Sequence, residues 1–171
     1  VAGVNETFTG PISSLNGTTV QGNAADTDEM TFTTAGTVVM NNGTTGGTIT
    51  QIKVLNLAAG SNTISFANGT SGIVKIVGAG GSDSVDLTGT GNSFLAGNID
   101  LSDGANTLTM EGKTYTGTFT SGASSSDTLW LVNGSDISDM DGAKALIDQA
   151  IDAFGTLDIV INNAGIHADA V

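Results

Sequence analysis

Asn62-Thr63-Ile64-Ser65-Phe66, Asp83-Ser84-Val85-Asp86-Leu87, Asn106-Thr107-Leu108-Thr109-Met110 and Asp127-Thr128-Leu129-Trp130-Leu131 are four copies of one pattern. Each runs Asn or Asp, small polar, apolar, variable, apolar, and the starts lie 21, 23 and 21 residues apart. A near-constant period of this length is the mark of a solenoid, in which every coil buries its apolar residues against the next. Side chains alternate along a strand, so the two apolar residues of each copy share one face. That face predicts two stacked rows, Ile64/Val85/Leu108/Leu129 and Phe66/Leu87/Met110/Leu131. The opposite face carries Ser65, Asp86, Thr109 and Trp130, and its polarity predicts contact with water.

The register extends backwards at a longer spacing. Gly36-Thr37-Val38-Val39-Met40 and Gly10-Pro11-Ile12 stand 26 and 52 residues before Asn62. Asn16, Asn42 and Asn68 open Asn-Gly-Thr triplets, also 26 residues apart. Asn-Gly accepts positive φ and marks a tight turn. A second strand precedes the pattern as Met30-x-Phe32, Leu55-x-Leu57 and Ile99-x-Leu101, and a third is expected at Ile73-Val74 and Phe94-Leu95. Strands and turns within 21 to 26 residues describe one coil of a parallel β-helix, and about five or six coils fill residues 1–132. The expected fold class is mainly β, a parallel β-helix followed by a small helix-strand element over residues 133–171.

Composition agrees. The 25 Gly with abundant Thr, Ser and Asn supply turns and strand surfaces, and a single Pro leaves the hydrogen-bond ladders intact. There are no Cys residues, so neither disulfides nor thiolate metal sites arise. The net charge of −13, with only 4 Lys and Arg, opposes phosphate backbones and anionic membranes, so no nucleic-acid partner is expected. No apolar run approaches the ~18 residues of a membrane span, so membrane insertion is not expected either. No stretch reads as a signal peptide, and a chain opening on Val1 reads as a processed or excised segment.

Three local features bear on chemistry. Asp26-Thr27-Asp28-Glu29 reads as a solvated acidic loop. The leading Asn62, Asp83, Asn106 and Asp127 read as a side-chain ladder that hydrogen-bonds the turns from coil to coil. A calcium site at Asp83 or Asp127 stands beside that reading, because glycines before an Asp allow backbone carbonyls and a carboxylate to converge on a hard cation. Gly78-Ala79-Gly80-Gly81-Ser82-Asp83-Ser84-Val85 resembles the calcium-binding nonapeptide of toxin-type β-rolls, departing from it at Ala79. The equivalent Asn62 and Asn106 bring no charge, which favours the ladder.

The coils as a set, on Val54-Leu55-Asn56-Leu57-Ala58-Ala59-Gly60-Ser61-Asn62-Thr63-Ile64 and Ile99-Asp100-Leu101-Ser102-Asp103-Gly104-Ala105-Asn106-Thr107-Leu108, resemble autotransporter adhesin passenger domains and bacterial surface-layer proteins. The resemblance implies an extracellular or cell-surface scaffold with no enzyme activity.

The C-terminal forty residues change character. Met140, Ala143, Ile147, Ala150 and Phe154 fall at helical spacing, with Ser138 as cap and Gly155 as stop, and Leu157-Asp158-Ile159-Val160-Ile161 reads as a buried strand. Gly134-Ser135-Asp136-Ile137-Ser138-Asp139 with Ala153-Phe154-Gly155-Thr156-Leu157-Asp158-Ile159-Val160-Ile161-Asn162-Asn163-Ala164-Gly165-Ile166 is similar to the middle of a short-chain dehydrogenase/reductase. In that family, the resemblance implies, Asp136 meets the adenine and Asn162, Asn163, Ala164 and Gly165 lie along the dinucleotide. The phosphate-binding glycine turn would fall upstream, where the solenoid stands, and the catalytic Ser and Tyr-x-x-x-Lys would fall beyond Val171. Tyr115, the single Tyr, has Phe119 where the Lys belongs, and His167 reads as solvated. No catalytic residue and no bound dinucleotide are therefore expected.

The functional expectation is a structural solenoid of a surface layer, adhesin or filament, associating with itself head to tail, with residues 138–154 covering the last coil. Two alternatives stand beside it. One is a non-catalytic or split dinucleotide-binding oxidoreductase fragment. The other is an ice-binding solenoid, for which Thr48-x-Thr50, Thr63-x-Ser65 and Thr107-x-Thr109 argue, and which Asp86 and Trp130 interrupt.

Overall fold

A computed structural model describes residues 3–41, 47–70, 72–90, 94–111, 115–122 and 126–132. The readings placed on residues 133–171 lie outside the described residues. The chain winds as a succession of coils. The first holds β1 (Thr7–Gly10) and β2 (Thr19–Gln21). The second holds β3 (Glu29–Phe32), β4 (Thr37–Met40) and β5 (Thr48–Thr50). The third holds β6 (Val54–Asn56) and β7 (Thr63–Phe66), and the fourth β8 (Lys75–Val77) and β9 (Ser84–Asp86). Then come β10 (Asn98–Asp100), β11 (Thr107–Glu111), β12 (Phe119–Thr120) and β13 (Thr128–Val132).

Strands stack into parallel sheets: six strands in the order β1-β3-β6-β8-β10-β12, five in the order β13-β11-β9-β7-β4, and the pair β2-β5. This is a parallel β-solenoid of about five turns. The pairing follows the repeat. Val38, Ile64, Val85, Leu108 and Leu129 are successive partners in one row, and Met40–Phe66 and Met110–Leu131 belong to the row beside it. Across the core the six-stranded sheet supplies Phe8, Met30, Leu55, Ile76, Ile99 and Phe119 as partners. Met40, Ile49, Leu55, Ile64, Ile76 and Val85 are fully buried. Each such side chain contributes about 1.5–3 kcal/mol, so the two apolar walls dominate the favourable energy.

Three expectations are corrected. No strand forms at Ile73-Val74 or Phe94-Leu95. The strand in the first case is Lys75–Val77, whose Ile76 fits between Leu55 and Ile99, so the neighbouring coils choose which apolar residue enters the sheet. Phe94-Leu95 lies in a turn. Among the described residues the third wall is a sheet only where β2 pairs with β5, and in later coils the buried Ile73, Phe94 and Tyr115 occupy irregular backbone. Gly10-Pro11-Ile12 does not repeat the strand pattern: Pro11 caps a 3-10 turn over Ile12–Leu15, whose Ile12 and Leu15 are buried.

The acidic stretch after Ala25 is the third correction. Asp28 is completely buried, and its two oxygens accept the main-chain N–H groups of Glu6 (2.8 Å) and Asn23 (2.5 Å). These bonds, that from Glu6 foremost, hold its carboxyl below the ordinary 3.8. Asp26 accepts the N–H of Gly3, and Glu29 opens β3. A carboxylate can be buried when backbone donors take the place of water.

Candidate functional site

The residues singled out in the repeat converge on one structure, a ladder along the turn that precedes the five-stranded sheet. Asp83 Oδ1 accepts the N–H of Asn62 (3.0 Å), Asn106 Oδ1 accepts that of Asp83 (2.9 Å), and Asp127 Oδ1 accepts that of Asn106 (2.9 Å). Each rung therefore runs from a side-chain oxygen to the backbone one coil earlier. The Asn rungs are also tied within their own turns. Asn62 Nδ2 donates to Ala58 O (2.8 Å) and Gly60 O (3.1 Å), and Asn106 Nδ2 donates to Ser102 O (3.0 Å) and Gly104 O (3.4 Å). Asn62 Nδ2 also reaches Asp83 Oδ1 at 2.8 Å.

The turn has this shape because glycine stands two residues before three of the rungs, Asn62, Asp83 and Asn106. Gly60, Gly81 and Gly104 have φ of 107°, 114° and 146°, and a Cβ on Gly104 would collide with Gly81 O. Only glycine combines that backbone with so close an approach.

The two acidic rungs differ. Asp127 has a donor on each oxygen, since Ser121 Oγ donates to its Oδ2 at 2.7 Å. Asp83 is 1% exposed, and its Oδ2 has no hydrogen-bond partner. Burial, opposed by the bonds from Asn62, pushes its carboxyl up from the ordinary value. Asn62 Oδ1 is also unpartnered, and the equivalent place one coil earlier is taken by Gly36, whose carbonyl accepts Thr63 N–H. Among the described residues no three His, Cys, Asp or Glu side chains converge as a metal-binding group.

Sequence reasoning missed one further rung of this kind, Asp28, and a separate tie at Asn41 in the turn after β4. Asp28 makes the same side-chain-to-previous-coil bond, and its signal was its place directly before a strand, as Asn62 directly precedes β7. Asn41, at φ 58°, accepts Ile49 N–H and donates to Gly69 O, while Asn68 Nδ2 donates to Asn41 O. The Asn-Gly-Thr spacing had pointed one residue further, to Asn42.

The outer face of the five-stranded sheet carries two rows. Thr37, Thr63, Ser84, Thr107 and Thr128 are in register without interruption. The neighbouring row is Val39, Ser65, Asp86, Thr109 and Trp130, mixed in character and exposed at Val39 (39%) and Trp130 (49%). At the first coil the core opens into a cavity of about 270 Å³ whose apolar lining includes Phe8, Leu15, Val20, Met30 and Phe32.

Tyr115 is packed rather than poised for chemistry. Its hydroxyl donates to Gly97 O at 2.6 Å, its ring stacks on Phe119 at 4.2 Å, and burial pushes its phenol well above the usual range. Asp136, Asn162, Asn163, Ala164 and Gly165 lie outside the described residues. Among the described residues no helix is long and apolar enough to cross a membrane. No family model matches this chain, and neither a curated protein nor a solved structure does.

Proposed function

We propose that this chain is a structural solenoid, a segment of an extracellular bacterial surface layer, adhesin or filament, which associates with itself head to tail. The observation that supports the reading is the open core at the first coil. Phe8, Leu15 and Val20 line a cavity of about 270 Å³ beside β1, the outermost strand of its sheet. At the opposite end β13 is the last strand of the five-stranded sheet among the described residues. An edge strand and an apolar opening both gain by being covered. The two ends are different surfaces, so their contact is heterologous and continues into a fibre.

Electron microscopy and sedimentation of the purified chain test this. Filaments or sheets that grow with concentration and dissolve in a Phe8→Asp variant are the expected result. A monodisperse monomer at every concentration, for parent and variant alike, rejects it.

Ice binding is the second reading, favoured by the unbroken hydroxyl row from Thr37 to Thr128. The mixed row beside it, with Val39, Asp86 and Trp130, makes it the weaker one, and ordinary ice growth in a thermal-hysteresis assay removes it. No observation on the described residues favours the dinucleotide-enzyme reading.

A further inference from the structure

The ladder contains one group whose chemistry its hydrogen bonds leave incomplete. In the coils on either side, the second side-chain atom of the rung is an amide nitrogen that donates to the carbonyls four and two residues earlier, at 2.8 and 3.1 Å for Asn62 and 3.0 and 3.4 Å for Asn106. At Asp83 that atom is Oδ2, and the carbonyls at the same positions in sequence are those of Ala79 and Gly81. Carbonyl oxygens only accept, and an ionised carboxylate only accepts. Oδ2 is accordingly without a partner, in a side chain 1% exposed. Oδ1 is already engaged by Asn62, both through its N–H and through its Nδ2.

We propose that Asp83 is held as the neutral carboxylic acid in the folded protein, its Oδ2–H donating into the turn that amide groups tie in the adjacent coils, so that one rung of the ladder depends on a bound proton. The proton comes from solvent and returns to it on ionisation. A carboxylic O–H is the nearest chemical equivalent of the amide N–H at a place of this size. The sister turns close to 2.8–3.4 Å around their nitrogens, which is hydrogen-bond spacing. A calcium ion needs six to eight oxygens at about 2.3–2.6 Å, with correspondingly wider gaps between them.

The surroundings agree. The ionisable groups on the strands and turns next to Asp83 are Asp86 on β9, Asp103 in the turn of the next coil, Glu111 on β11 and Asp127 beyond Asn106, and the cation Lys75 on β8 of its own coil. The coil before contributes Asn62, which does not titrate. Among the described residues no cationic side chain is paired with Asp83. Burial favours the neutral form, against the two bonds from Asn62, which favour the ionised one.

The sign of the pH effect follows. Asp83 titrates higher in the folded protein than the ordinary 3.8, so as pH rises the unfolded chain releases this proton first. The stability the proton brings is complete below 3.8, declines across the interval up to the folded value, and is absent above it.

The test compares thermal unfolding of the full chain and of Asp83→Asn between pH 3 and pH 8, and measures the Asp83 carboxyl carbon by NMR titration. The Asn variant restores the amide donor of the neighbouring rungs at every pH. It is expected to melt above the parent at pH 7, by about 3–5 °C for each tenfold by which folding favours the proton, and the gap closes towards pH 3. The carboxyl carbon is expected to titrate above 3.8. A gap that does not vary with pH, or a carboxyl that titrates at or below 3.8, overturns the proposal. So does a calcium-dependent rise in the parent's melting temperature at pH 7 that chelator reverses and Asp83→Asn abolishes, for then a cation occupies Oδ2.

Discussion

Leu108→Ala and Thr109→Ala are adjacent substitutions on opposite faces of β11, and the fold assigns them very different consequences. Leu108 is 1% exposed and lies between Val85 and Leu129 in its row, whereas Thr109 faces outward between Asp86 and Trp130. Truncating a buried Leu to Ala removes about three methylene-sized groups from the core and leaves a cavity, a combined loss of about 3–5 kcal/mol. A solenoid coil touches only its neighbours, so the loss falls on the two interfaces that β11 makes with β9 and β13. At about 2–4 °C per kcal/mol, the melting temperature drops by about 6–20 °C. Thr109→Ala removes a solvent-side group and stays within about 0.5 kcal/mol of the parent. Urea unfolding followed by far-ultraviolet circular dichroism measures both. Equal losses, or a larger one at Thr109, would show that β11 is one residue out of register and that every row named above faces the wrong way.

Gly104→Ala places a Cβ against Gly81 O at a φ of 146°, and it should destabilise by more than the ~1 kcal/mol that a tolerated Gly→Ala change gains, read in the same urea assay. Asn106→Asp removes the donor to Ser102 O and Gly104 O while keeping the acceptor for Asp83 N–H. It should cost about 1–3 kcal/mol at pH 7 and less at pH 4, and parent-like stability at pH 7 would show that the amide donors contribute little. The carboxyl of Asp28 sits below 3.8, so the stability it contributes is present above 3.8 and is lost as pH falls through the lower folded value. The deficit of Asp28→Asn relative to the parent should therefore shrink between pH 5 and pH 2, and a deficit constant over that range would refute the role given to the Glu6 and Asn23 amides.

The inward rows of β7, β9, β11 and β13 were legible because each copy carries its own alternation and its own leading Asn or Asp. Ile76 was not, because Ile73-Val74-Lys75-Ile76-Val77 offers apolar residues of both parities. Leu55 and Ile99, far away in sequence, decide between them. Asp28 was misread for a related reason. Composition shows an acidic cluster, and only the return of the chain 22 residues after Glu6 brings a backbone N–H to neutralise the cost of burial. In the candidate site, the ladder could be read from four equivalent positions, but the contrast between Asp83 and Asp127 could not. It depends on Ser121, six residues before Asp127, folding back to donate to it.

The apolar rows and the ladder divide the task of specifying this fold. Apolar contact is non-directional, and a coil that slipped by two residues would still present alternate side chains to the core, such as Met110 where Leu108 belongs. The ladder does not tolerate that slip. Moving Asn106 off Asp83 would strand a buried N–H and a buried side-chain oxygen, at about 1–3 kcal/mol each, in every coil it crosses. Most of the stability thus comes from the rows and most of the register from the rungs. A rung needs an oxygen pointing to the coil before and, for a closed turn, a donor pointing into its own. Asn supplies both at any pH. Asp127 supplies the first and receives a hydroxyl from Ser121 on its other oxygen, and Asp83 completes the same set only when it carries a proton.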